Sequence, residues 1–474
     1  MTQWIGETFT SEVGWSHLES LVGVGNRMAG SDGEATAARE TRDALAEFAD
    51  DARTDEFDIQ GWIRGDSRVQ AGDTEFDCLA LPRSPTGETT GELVDMGYGL
   101  PEDFEQADVD GKVVVCASNI PSWYDRLIHR REKYYDAVEH GAAAFLFRNH
   151  VEGCLAPTGS VGTADAPLGE IPAVGISKEA GSRLVREHEG EQVTVATRAE
   201  TGDATSQNVH ATLGPDMEQT LLVTSHVDAH DIAEGAMDNG AGTAMVVELA
   251  RTLADRETDL DTRVEFVCFG AEEVGLVGSS HLAAERDPET VKAVLNLDGV
   301  IQGRDLAAYT HGFDALGSAI DRVSDRLDQP FTTNPNHGPH SDHWPFVERG
   351  VPGLHVYAET GDEGRGWGHT RADTLDKLAL RDFREQAIVL TELAVELASN
   401  ATTTERRDTA DIAAELAAQD LATGMKRTGD WPFDDDCRER ERATVGTKLQ
   451  GVRRPDSRTA QQRRRTSGRG CTRA

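Results

Sequence analysis

Basic side chains are few in this sequence, and lysine is almost absent. The 474 residues contain 47 Lys and Arg against 84 Asp and Glu, a formal net charge of -37, and only 7 of the 47 are lysine. A surface of this sign repels phosphate backbones, because proteins bind nucleic acids through basic faces that displace counterions. We therefore expect neither DNA nor RNA as a partner.

Acidity with arginine in place of lysine is typical of proteins from a high-salt cytoplasm. Hydrated carboxylates keep a protein soluble where salt screens charge over short distances, so the self-repulsion is tolerated there. The composition predicts a halophilic protein that loses structure and activity on dilution. The alternative is an ordinary acidic protein of a low-salt cell.

Paired cysteines and long apolar runs are also missing. The start of the chain, MTQWIGETFTSEVGW, has neither a basic segment nor an apolar core of the kind that directs secretion. No window approaches the ~18 uninterrupted apolar residues of a membrane span. We expect a reduced, cytoplasmic protein without a membrane segment. The six cysteines, which lack paired spacing, are Cys78, Cys116, Cys154, Cys268, Cys437 and Cys471.

The remaining 38% hydrophobic content is sufficient for a folded protein, and the pattern divides the chain into four parts. Residues 1–64 are mainly helical and form the N-terminal part of the main domain, whereas residues 65–200 are a β-rich insertion. Residues 201–400 alternate buried strands (LLVTS, VEFVCFG, VKAVLNLDG) with helical segments. Residues 401–474 are an extension that ends in a disordered tail, in which the last 24 residues carry 8 Arg and one Asp, a charge of +7. The predicted fold is α/β, with a mostly parallel central sheet flanked by helices and an inserted β-rich domain.

Acidic and histidine side chains follow the buried strands of residues 201–400. In an open parallel sheet, groups just past the carboxyl ends of strands line the binding crevice, so these side chains are expected to converge. Each alone has a structural explanation; for example, an Asp before a helix is usually an N-cap. Together they offer the nitrogen and oxygen donors that a zinc-like ion binds. These residues are His226 and Asp228 in SHVDAH, Asp238 in AMDNGAG, Glu272 and Glu273 in FGAEEVG, Asp298 in NLDG and His369 in WGHTRADTLDKL.

These motifs resemble, in the same order, those of the dizinc exopeptidases of peptidase family M28. The resemblance covers about residues 205–400 and rests on HVD, MDNGAG, GAEEVGLVGS, LNLDG, HSDHWPF and GHTRADTLDKL, with NRMAGSDGE near residue 30. The insertion resembles the protease-associated (PA) domain through DVDGKVVVCA and YDAVEHGAAAFLF. The resemblance implies the zinc exopeptidase fold with a PA-like insertion.

The resemblance also implies a role for each site residue. Asp238 would bridge two Zn²⁺ ions, His226 and Asp298 would complete one site, and Glu273 and His369 would complete the other. Glu272 would be the general base for a metal-bridging hydroxide, and Asp228 would orient His226. The same donors accept Co²⁺ or Mn²⁺.

One position departs from the family pattern. Many relatives have a Tyr before the closing His as oxyanion donor, whereas this chain has Gly368. His343 is the first substitute, followed by Tyr357 and Trp367. His337 and His340 are interpreted as loop residues, and Asp342 as a brace for the HSDHW loop.

The resulting prediction is an aminopeptidase that removes N-terminal residues from peptide substrates. The same metal core serves carboxypeptidases, and a metal-free binding protein of this architecture is a more distant alternative. Glutaminyl cyclases typically use one zinc, so the intact HVD and Asp238 weigh against them. The insertion is expected to form a wall or lid that limits entry to short peptides. The sequence has no signature of oligomeric state.

Overall fold

A computed structural model describes residues 3–124, 126–163, 166–360 and 366–433. The arginine-rich tail, Cys437 and Cys471 lie outside the described residues. None of the described helices is both long and apolar enough to cross a membrane.

Helices cover both ends of the described chain and flank the sheet. The α-helices of the described part are α1 (Gln3–Thr10), α2 (Val13–Gly23), α3 (Asp32–Leu45), α4 (Pro101–Gln106), α5 (Arg130–Glu139), α6 (Lys178–His188), α7 (Gly242–Ala254), α8 (Val277–Glu285), α9 (Asp314–Leu327), α10 (Trp344–Val347), α11 (Leu380–Ala398), α12 (Thr409–Ala418) and α13 (Ala422–Arg427). Helix α3 begins where the sequence predicts a cap, because the Ser31 side chain accepts a hydrogen bond from the Glu34 amide. A single π-helical turn, Ala236–Ala241, leads into α7.

The strands form one long sheet path across the molecule. The strands of the described part are β1 (Asp50–Ala71), β2 (Thr74–Phe76), β3 (Cys78–Ala80), β4 (Gly87–Asp95), β5 (Val113–Ala117), β6 (Ala144–Arg148), β7 (Ala173–Ile176), β8 (Gln192–Leu213), β9 (Thr220–His226), β10 (Arg263–Phe269), β11 (Val291–Leu297), β12 (Leu306–Tyr309), β13 (Phe331–Asn334) and β14 (Gly353–Ala358). Their order is β13-β12-β14-β11-β9-β10-β8-β4-β5-β6-β7-β3.

The predicted mostly parallel sheet is confirmed. Strands β14, β11, β9 and β10 are parallel neighbours, and β9, β11 and nearly all of β10 are buried along their length. Helix α7 packs on β9 and on α2 and α11. This double coverage explains the continuous apolar runs in these strands.

The insertion has its own small parallel sheet, formed by β4, β5, β6 and β7. One apolar cluster, which includes Val69, Leu146 and Leu184, packs on the face covered by α6. A second cluster, which includes Phe104 and Tyr134, packs on the face covered by α4 and α5.

Two 22-residue strands, β1 and β8, connect this sheet to the main one. They pair antiparallel from Asp50 opposite Thr212 to Ala71 opposite Val193. At one end β8 pairs with β10, and at the other with β4. The predicted domain boundaries at 64/65 and 200/201 therefore lie within the two-stranded ribbon of β1 and β8. The division of the chain into domains stays a prediction.

Candidate metal centre

Three adjacent parallel strands deliver the candidate ligands to one edge of the sheet. His226 is the last residue of β9, Asp298 directly follows β11, and Glu272 and Glu273 lie in the turn after β10. Because the carboxyl ends of parallel strands meet at one edge, the sequence motifs converge there. Asp238 enters from the π-helical turn and His369 from the loop before α11.

The carboxylate of Asp238 lies between two groups of ligand atoms. Its Oδ1 is 3.3 Å from His226 Nε2, and its Oδ2 is 2.9 Å from His369 Nε2. His226 Nε2 is also 3.8 Å from Asp298 Oδ1, and His369 Nε2 is 3.6 Å from Glu273 Oε2. One oxygen of Asp238 thus faces each group. Asp238 is not the N-cap residue of α7, because the N-cap positions of the π-helical turn and of α7 are Gly235 and Ala241.

Glu272 lies next to the first group. Its Oε2 is 3.9 Å from His226 Nε2, and its side chain is 11% exposed. Burial and nearby carboxylates hold the pKa of Glu272 well above the usual value, although the charge of His226 opposes the shift. Burial and the charge of Asp238 raise the pKa of Glu273 to about 7.

Burial alone would lower the pKa of His226 and raise that of Asp298, but their mutual contact reverses both. The carboxylates around His226, Glu272 first among them, hold its pKa well above the usual value, whereas the close approach and charge of His226 bring the pKa of Asp298 to about 2. Carboxyl groups crowded and buried in this way favour a bound cation.

The donors fit metal ions. Among the described residues, His226 Nε2, Glu273 Oε1 and Asp298 Oδ1 are buried without a hydrogen-bond partner, although each lies near other donors of the cluster. Two groups, His226–Glu272–Asp298 and His230–Glu273–His369, have ligand atoms that all lie within 4.8 Å of one another. Nitrogen and carboxylate oxygen at such spacing are the donors that zinc prefers.

Asp228 supports the site through two sets of contacts, one to the main chain of the adjacent glutamates and one to His226. Its buried carboxylate accepts the backbone amides of Glu272 at 3.1 Å and Glu273 at 3.2 Å. The Nδ1 of His226 lies 3.1 Å from the Asp228 main-chain carbonyl and 3.3 Å from its carboxylate. Both acceptors require the proton on Nδ1, which leaves Nε2 free to bind a metal.

Three further braces were not recognised in the sequence. Arg27, 2% exposed, donates to the carbonyls of Val227 and Gly235 on the two ligand loops. Glu34 accepts the Ala271 amide just before Glu272. Asp373 accepts the amides of Met237 at 2.8 Å and Asp238 at 3.1 Å. Arg27 and Glu34 lie in NRMAGSDGE and Asp373 lies in GHTRADTLDKL, so the motifs marked these residues. Their contacts were not visible, because each binds main chain far away in sequence.

A cavity of about 460 Å³ opens on the metal cluster. One wall contains the cluster carboxylates and His369, and the opposite wall comes from the insertion, including His129, Phe147, Asn149 and Ser160. This volume lies within the range of small-molecule sites, ~300–1,000 Å³. The insertion is joined to the site directly, because the Thr158 amide donates to the His369 carbonyl at 2.8 Å.

The expected oxyanion donors do not line this cavity. His343 is fully buried, bonds the Gly338 carbonyl through Nε2 at 3.1 Å, and stacks between His311 and His355. Tyr357 packs beside Tyr309, and Trp367 is absent from the lining. His340 does line it, stacked on His129 at a ring distance of 4.9 Å. From the HSDHW loop, the observed contact to the cluster is Ser341, whose hydroxyl donates to Asp298 at 2.7 Å.

Comparisons with known proteins agree with this geometry. The sequence model of Peptidase family M28 matches residues 208–394, and that of the PA domain matches residues 89–184. Aminopeptidase YwaD of Bacillus subtilis is 28% identical over 389 residues, which cover 79% of this chain and 81% of that protein. A probable leucine aminopeptidase 2 of Aspergillus oryzae is 28% identical over 324 residues, 64% of this chain and 62% of the relative.

Two solved structures share the fold over most of the chain. An aminopeptidase from Aneurinibacillus sp. strain AM-1 has a TM-score of 0.64 at 26% identity, with 86% of this chain and 97% of that one covered. A Peptidase M28 precursor from Shewanella amazonensis has a TM-score of 0.70 at 22% identity, with 86% and 98% covered. Residues 208–394 are therefore similar to peptidase family M28, and residues 89–184, which precede them in the chain, are similar to the PA domain.

Proposed function

We propose that this protein is a zinc aminopeptidase that removes N-terminal residues from short peptides. The observation that carries the proposal is the carboxylate of Asp238, whose two oxygens face two separate groups of ligand atoms. The relatives named aminopeptidases support the reaction class. We propose two zinc ions, one held by His226, Asp238 and Asp298, and one that uses Asp238, Glu273 and His369. Cobalt or manganese would suit the same donors.

When bound, the two ions would activate a water molecule and polarise the scissile carbonyl. Glu272 is placed to accept the proton from the attacking water and to pass it to the leaving amine. Burial raises the pKa of Glu272, which makes its carboxylate a stronger base. Asp228 holds the main chain of Glu272 and Glu273 in place.

The test compares Glu272→Gln with the wild type for zinc content and turnover. We expect unchanged zinc and a turnover reduced by ~10²–10⁴-fold, the usual contribution of a general base. Glu289→Gln, on the surface with a 75% exposed side chain and outside the candidate ligand groups, is the matched control. Full turnover in Glu272→Gln contradicts the proposed role. Loss of zinc instead would make Glu272 a ligand.

A carboxypeptidase is the second candidate, favoured by one observation: Arg130 lines the cavity wall opposite the cluster, where a cation would suit a substrate carboxylate. Chromogenic substrates with a free amino terminus and substrates with a free carboxyl terminus distinguish the two activities. Activity on the second set alone would refute the aminopeptidase proposal. Both activities should vanish with a chelator and return with zinc.

The PA domain is proposed as a wall that restricts the substrate to short peptides, because it forms one side of the cavity. Cleavage rates that do not fall with increasing peptide length would contradict this role. We also propose a cytoplasmic, halophilic protein, which the net charge of -37 and the 7 lysines support. Equal activity in dilute buffer and molar salt would refute the halophilic part.

A further inference from the structure

His230 is a buried histidine beside the second group of ligand atoms. It lies four residues after His226, is 5% exposed, and its Nε2 is 2.9 Å from Glu273 Oε2. Its ring meets that of His369 edge-on, with centroids 4.6 Å apart. Within the described part of the chain, neither ring nitrogen makes a hydrogen bond of good geometry. A buried imidazole in this state calls for a partner that the side chains do not supply.

The distances around His230 match the edges of a coordination polyhedron. Ligand atoms at ~2.0–2.1 Å from a tetrahedral zinc lie about 3.3–3.4 Å from one another. The observed separations in this group are 2.9 Å for His230–Glu273, 3.6 Å for His369–Glu273 and 2.9 Å for His369–Asp238. The ligand atoms of His230, Glu273 and His369 all lie within 4.8 Å of one another.

We propose that His230 is a fourth protein ligand of the zinc ion held by Asp238, Glu273 and His369. The inference rests on the proposed function, and it makes the two positions unequal. A zinc ion with four protein ligands would have to expand to five-coordination to share the water, whereas one with three keeps an open position. The open position would then be the one at His226 and Asp298, beside Glu272. The base and the exchangeable position lie together for this reason.

The alternative role for His230 is positioning, in which a ring N–H holds Glu273 from outside the coordination sphere. The two roles predict different zinc spectra. X-ray absorption of the wild-type protein loaded with two zinc ions should show three imidazoles shared by the two ions. His230→Gln should show two. A positioning residue would leave two imidazoles in both proteins.

Zinc affinity provides the second readout. Loss of an outer hydrogen-bond partner costs ~10–100-fold in metal affinity, so His230→Gln should weaken one of the two ions by more than ~100-fold and leave the other unchanged. His210→Gln is the matched control, because His210 is 1% exposed, lies on β8 outside the cavity and pairs with Glu265. The control should keep both affinities.

The outcomes separate this inference from the proposed function. A wild type that binds no zinc refutes the proposed function. A wild type with two zinc ions and two imidazoles refutes the role of His230 alone. If His230→Gln fails to fold, the imidazole count of the wild type still decides.

Discussion

Replacement of Arg27 should release both loops that carry the first metal ligands. The guanidinium donates four hydrogen bonds to main-chain carbonyls: Leu21 at 2.8 Å, Val227 at 3.2 Å, Glu234 at 2.7 Å and Gly235 at 2.9 Å. Val227 follows His226, and Gly235 opens the turn that holds Asp238. One side chain therefore fixes the separation of the two loops.

The size of the effect follows from these bonds. At a net value of about 1 kcal/mol each, four hydrogen bonds contribute about 4 kcal/mol, and in Arg27→Ala the four carbonyls lose their donors. Burial lowers the pKa of Arg27 to about 10, against the opposing charges of Asp373, Asp228 and Asp238, so the group stays charged at neutral pH. Arg27→Lys should recover less than half, because an ammonium cannot span the four acceptors.

Hydrogen exchange measured on peptides from residues 226–240 reports this change locally. A loss of about 4 kcal/mol accelerates exchange by ~10²–10³-fold in a segment that opens locally. Zinc affinity should fall in the same variant. Arg42→Ala, which removes a surface pair with Asp43, is the control and should cost under ~1 kcal/mol. Unchanged exchange in Arg27→Ala would refute the proposed bracing.

Two further changes test the packing around the site. In Gly235→Ala, where φ is +57°, the new Cβ would lie 2.4 Å from Ala229 Cβ, so we expect the free energy of unfolding to fall by ~2–4 kcal/mol and zinc binding to weaken. Gly190→Ala, with open space around it, is the control and should lose only the ~1–2 kcal/mol that a left-handed backbone costs. Urea unfolding measures both changes. Burial and neighbouring imidazoles hold the pKa values of His311 and His343 well below 6.5. In the unfolded chain these imidazoles bind protons near pH 6.5, whereas in the folded chain they do not. The free energy of unfolding should therefore fall below pH 6.5 by ~1.4 kcal/mol per pH unit for each imidazole. His311→Gln should make this dependence on pH less steep, and an unchanged dependence would contradict the lowered pKa of His311.

The central sheet was predictable because burial on both faces leaves a direct mark on composition. Strands β9, β10 and β11 appear as apolar runs with no alternation, as parallel strands under helices do. Strand β1 leaves no such mark. Its sequence, DDARTDEFDIQGWIRGDSRVQA, is polar, and only five of its 22 residues are buried, so its length follows from pairing with β8. The extent of β1 is therefore determined by tertiary pairing with β8 and not by a local preference for strand.

His226, Glu273 and Asp298 were predictable from their places at strand ends, and Asp238 and His369 from the motifs around them, but the contacts that hold these ligands were not. Glu34 bonds Ser206 and Ala271, and Asp373 bonds the main chain at Met237 and Asp238. Such contacts depend on the relative placement of distant loops. His230 had a visible signal, a second histidine four residues after the first in SHVDAH, but the sequence alone does not show which way a loop residue faces.

The position of the PA domain is coupled to the metal cluster by the fold itself. Strand β8 pairs with β10, whose following turn carries the glutamates, and the same strand continues into the insertion to pair with β4. Arg64 of β1 bonds both Asp231, the neighbour of His230, and Thr158, whose amide holds the His369 carbonyl. A shift of the insertion would therefore act on His369 and on the loop of His230 together. The wall that shapes the cavity also supports the second metal position, so substrate access and metal binding depend on the same contacts.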